Sequence, residues 1–111
     1  MKEKVFFIGS DSLGRGEEEL GKLLMANFLR QLGEAPEKPK ALFLANTGVK
    51  LCAQGSKAID HIKKLEESGV EVLLCRTCVE WFDLEGKLAA GKISAMGTLV
   101  ALSGESSIIS L

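Results

Sequence analysis

"ALFLA", Ala41 to Ala45, is apolar at every position. A strand with one face in water alternates apolar and polar residues, so a run without alternation reads as a strand covered on both sides, as in parallel sheets. "KVFFI" (4–8) is likewise apolar on successive positions from Val5 to Ile8, and three more apolar runs follow: "VEVLL" (70–74), "KISAM" (92–96) and "SSIISL" (106–111). Helical periodicity fills the gaps. Leu20, Leu23, Leu24, Phe28 and Leu32 form a stripe over 17–32, and Ala58, Ile59, Ile62 and Leu65 form another over 56–68, with Gly69 placed to stop it. Shorter helices are expected over 78–84 and 97–102. Both prolines, Pro36 and Pro39, fall in one linker before the second strand. Alternating strand and helix predicts a three-layer α/β/α sandwich on a mainly parallel five-stranded sheet, flavodoxin-like in shape, spanning 1–111 as a single domain.

Composition narrows the function classes. The chain has 111 residues, 46% apolar and 26% charged, which is the balance of a folded domain. A net charge of −1 with no basic block argues against nucleic acid as a partner. No apolar run is long enough to span a bilayer, and Val5–Ile8 is too short to serve as a secretory signal. No membrane partner is expected, and the expected location is the cytoplasm. There, three cysteines point to reactive or buried thiols rather than to a disulfide framework.

Two of the three, Cys75 and Cys78 in "LLCRTCVEW", follow the third strand. Open α/β sheets bind ligands beyond the carboxyl ends of their strands, near a switch point in strand order. Structural zinc needs about four ligands, and a single CxxC with one mid-helix histidine, His61, does not supply them; no metal is expected. Thioredoxin-like chemistry calls for a cis-proline opposite the motif, and no proline lies outside the 35–40 linker. A sulfur-accepting thiol fits better. Cys78 is expected in the first turn of a helix, where free N–H groups and the helix dipole favour a thiolate, with Arg76 and Thr77 beside it. Glu80, Asp83 and Glu85 would oppose this if they faced the sulfur. The alternative is that Cys75 merely ends a buried strand; Cys52 reads as core packing.

The other loops at that end are candidates for binding. "GSDSLGRG" (9–16) resembles a phosphate loop in outline, but Arg15-Gly16 stands where a Walker A loop has Lys-Ser/Thr. Ser10, Asp11, Ser12 and Gly14 could hold an anion on backbone amides, or simply form turns. Asn46 and Lys50 in "ANTGVKL" are placed at the rim of the same crevice. Trp81 and Phe82 are expected to pack in the core or between subunits.

Three blocks in order, "VFFIGSDSLGRGEEELGKLLMANFLRQL", "FLANTGVKLCAQGS" and "LEESGVEVLLCRTCVEWFDLEGKLAAGKIS", resemble the DsrE/DsrF-like proteins, most of all the DsrE-like domain of the YedF family. That resemblance implies a five-stranded α/β sandwich assembled as a homo-oligomer. It further implies sulfur carried as a cysteine persulfide on the loop after the third strand, here Cys75–Cys78. Donor and acceptor proteins, TusA-like in chemistry, would be the partners, and the family has an association with selenium metabolism. No cofactor is implied. On this reading Cys78 accepts the sulfur and Cys75 resolves it or supports the loop. Two rivals stay open: a non-catalytic oligomeric interaction module, and a small-molecule or anion-binding domain using 9–16.

Overall fold

The run that is apolar at every position becomes β2 (Ala41–Leu44), and each of its four residues is fully buried. In the computed structural model, which describes residues 1–111, β2 lies at the centre of a five-stranded sheet. The strands are β1 (Lys4–Ile8), β2, β3 (Glu71–Cys75), β4 (Lys92–Ser94) and β5 (Ser107–Ser110). Their order is β4-β3-β2-β1-β5, and every pairing is parallel.

This order dictates the layers. From β1 through β4 the chain steps each time to the next strand in the same direction, so right-handed crossovers put the intervening helices on one face. These are α1 (Glu18–Glu34), a 3₁₀ helix (Asn46–Cys52), α2 (Ile59–Glu67) and α3 (Arg76–Trp81). The return from β4 to β5 crosses the sheet and leaves α4 (Met96–Ser103) on the other face. Strand residues sort accordingly. Phe6, Ile8, Leu42, Leu44, Val72 and Leu74 pack with Met25, Leu29, Ile62 and Leu65, while Val5, Ala41, Phe43, Leu73 and Cys75 pack with Leu102 of α4.

Several elements depart from the sequence reading. On α1 the buried residues are Gly21, Met25, Leu29, Leu32 and Gly33, whereas Leu20, Leu23 and Leu24 are 52%, 69% and 43% exposed. The helix is turned because Gly21 abuts the Ser12 side chain so closely that a Cβ there would collide with it. On α2 the expected stripe is the buried one, but the helix starts at Ile59; the Ser56 hydroxyl accepts a hydrogen bond from the Ala58 amide at 3.2 Å and holds a turn instead. Gly69, at φ 103°, stops it. Helix α3 begins at Arg76, two residues earlier than expected, because Cys75 is at once the last residue of β3 and the N-cap. No helix is long and apolar enough to cross a membrane.

Candidate functional site

Register places the loops. Ile8, Leu44, Leu74 and Ile93 lie side by side across four strands, and Cys75 pairs with Ser94. One row further on therefore come Gly9, Ala45, Cys75 and Ser94, followed by Ser10, Asn46, Arg76 and Ala95. The cysteine pair does sit at the carboxyl ends. It does not sit at the switch in strand order, which falls between β1 and β5.

The two thiols differ in access. Cys75 is 3% exposed among the residues facing α4, while Cys78 is partly exposed and packs against both core clusters. Cys78 stands one turn along α3, which brings it over the N-cap residue Cys75. Its sulfur accepts a hydrogen bond from the backbone N–H of Asn46 at 3.0 Å. Asn46 opens the 3₁₀ helix with φ at 51°, in the left-handed region that asparagine tolerates better than most residues, and its Oδ1 accepts the Thr47 amide at 2.8 Å. Gly48 makes the close approach possible: a Cβ there would collide with the Ile8 carbonyl.

Electrostatics correct one expectation. The helix start was expected to stabilise a Cys78 thiolate. Burial instead pushes the thiol up, the Cys75 thiol adds to the rise, and the Asn46 amide works in the opposite direction. Arg76 and Thr77 are exposed, and Arg76 is not among the groups that shift the thiol. Glu80, Asp83 and Glu85 are exposed and do not act on it either. With only six residues, α3 supplies few aligned amides.

In the loop after β1 several polar groups are engaged within the chain. The Ser12 amide donates to Ser10 Oγ at 3.0 Å, the Asp11 amide to Thr47 Oγ1 at 3.3 Å, and Ser12 Oγ to the Glu18 carbonyl at 3.1 Å. The Leu13 amide reaches the Gly21 carbonyl at 2.9 Å. Gly14, at φ 83°, is an exposed turn residue. The Lys50 Nζ lies 4.6 Å above the Phe82 ring. Phe82 is half-buried against the larger core, whereas Trp81 is 82% exposed. Cys52 is fully buried at the end of the 3₁₀ helix, and burial pushes its thiol up to about 12. Nowhere do three His, Cys, Asp or Glu side chains gather as a metal site would need.

The sequence reading placed Asn46 at the rim without assigning it a role toward the thiol. The available signal was an asparagine directly after a strand and two residues before a glycine, the residue type that accepts a positive φ and so turns its own amide back toward the sheet.

No protein-family model matches the chain, and no curated protein sequence matches it. Solved structures do. The ychN protein of E. coli superposes with a TM-score of 0.74 at 19% identity, covering 100% of both chains. MTH1491 of Methanobacterium thermoautotrophicum, a protein of unknown function, gives 0.74 at 20% identity, again over 100% of both. BT1422 of Bacteroides thetaiotaomicron, a conserved protein of unknown function, gives 0.68 at 16% identity over 98% of this chain and 95% of its own. The fold is theirs. At these identities the likeness establishes architecture alone.

Proposed function

We propose that the chain is a DsrE-like sulfur-relay protein that carries sulfane sulfur as a persulfide on Cys78, with Cys75 as the neighbouring thiol. The observation that supports this reading best is the Asn46 N–H held 3.0 Å from an accessible Cys78 sulfur. A fixed donor of that kind favours the anionic form of whatever sulfur sits there. In the loading step the Cys78 thiolate attacks the outer sulfur of a donor persulfide. The Cys78–sulfur bond forms as the donor's S–S bond breaks, and the donor leaves as a thiolate that takes up a proton. Sulfane sulfur moves without net oxidation. A TusA-like protein is a donor of suitable chemistry, and the same step would move selenium in a selenopersulfide.

The rise in the Cys78 pKa favours the second reading, a non-catalytic module that assembles with copies of itself. Exposed Leu20, Leu23 and Leu24 on α1, with Met96 and Val100 on α4, are apolar surface suited to such assembly. Mass spectrometry after incubation with a persulfide donor separates the two. A relay protein gains about +32 Da on Cys78 and loses that gain in Cys78→Ser. An unmodified Cys78 beside an intact oligomer leaves the module.

A further inference from the structure

Helix α1 does not close against the 3₁₀ helix along its whole length. Between them, capped by the turn that leads into α2, lies a groove of about 330 Å³. That volume is at the small end for sites that take small molecules. Its floor is apolar: Leu51 and Ala58 are 6% and 2% exposed, and Ala26 is half-buried beside them. Leu23 forms part of the rim.

Three lysines line the groove, and they are not equivalent. Lys22 has carboxylate company, with Glu18 at 3.5 Å and Glu19 at 3.6 Å, and Asp11 adds to its field. Lys50 and Lys57 form no ion pair. Both stand on the wall opposite α1, Lys50 with its ammonium 4.6 Å over the Phe82 ring and Lys57 exposed. We propose that this groove binds a small organic anion, a carboxylate borne on a short aliphatic body, with the carboxylate between Lys50 and Lys57. A purely inorganic anion would leave the floor wet. A neutral apolar molecule would leave the Lys57 ammonium unmatched and Lys50 with only the Phe82 ring. A polyanion would meet Asp11 and Glu19 at the other end. The site is separate from the thiol chemistry and does not depend on it.

The test is an amide NMR titration of the intact protein with hexanoate, against hexanol and inorganic phosphate at equal concentration. Hexanoate gives saturable shifts at Ala26, Leu51, Lys57 and Ala58, unchanged in Cys78→Ser. The double variant Lys50→Gln/Lys57→Gln weakens binding at least tenfold while its spectrum away from the groove stays the same. Hexanol or phosphate matching hexanoate overturns the proposal, as do shifts that never saturate or a double variant that binds as well. Shifts at the same amides that follow protein concentration without ligand also overturn it, since a second copy then fills the groove.

Discussion

The backbone amide of Asn46 meets the Cys78 sulfur at 3.0 Å, across two elements more than thirty residues apart in sequence, and Asn46 holds φ at 51° to do so. Asn46→Gly keeps that backbone accessible, so its Cys78 alkylation rate stays within about twofold of the parent. Asn46→Val forces a β-branched residue into the same region at a cost of about 1–3 kcal/mol. It also withdraws the amide, so alkylation at neutral pH slows. Urea unfolding and iodoacetamide kinetics on the two variants check both halves.

Cys78 titrates above an ordinary thiol, because burial and then Cys75 disfavour its charged form. The alkylation rate is therefore expected to reach half its maximum at a pH above the free-thiol value of about 8.5. Cys75→Ala removes one of the causes and moves the midpoint down. A midpoint below that of a free thiol in the parent protein would contradict the geometry.

Cys52 gives a stability prediction at alkaline pH. Burial, with the Glu66 carboxylate adding to it, pushes its thiol up to about 12, so the folded protein holds a proton that the unfolded chain releases above about 8.5. The associated stability is complete below that pH and is lost as pH climbs toward 12. The loss approaches about 1.4 kcal/mol per pH unit within the window. Cys52→Ala costs about 1 kcal/mol at pH 7 and flattens this decline, as urea midpoints at pH 7 and pH 10.5 would show.

How much of this was legible beforehand depends on the kind of signal. Unbroken apolar runs identified β1 and β2 because burial on both faces leaves a compositional trace in every residue. The face of α1 was misread. Leu20, Leu23 and Leu24 are more apolar than Gly21, yet only a residue without a side chain fits against Ser12, and that fit turns the helix. Periodicity reports hydrophobicity and is blind to close approach. The site was half legible: register put the cysteines at the strand ends as expected, but the balance of burial against a short helix depends on three-dimensional contacts. Nothing in a strand pattern says that β5 returns beside β1, so the switch in strand order could not be located in advance.

Gly48 lies under the loop that positions Asn46. Any side chain there runs into the backbone carbonyl of Ile8, which cannot swing aside as a flexible side chain would. Gly48→Ala is expected to cost about 2 kcal/mol or more and to lengthen the Asn46–Cys78 contact. Thermal unfolding should show the first effect. A slower alkylation rate in the protein that remains folded should show the second.

Cys75 ends β3, and Arg76 begins α3 with no residue between them. Such a junction has no hinge. The Cys78 sulfur therefore cannot travel as on a swinging arm; it is bolted to the sheet and moves only as the sheet moves. If Cys78 relays sulfur as proposed, its partner must do the reaching and should present its own reactive group on a mobile tail or a protruding loop.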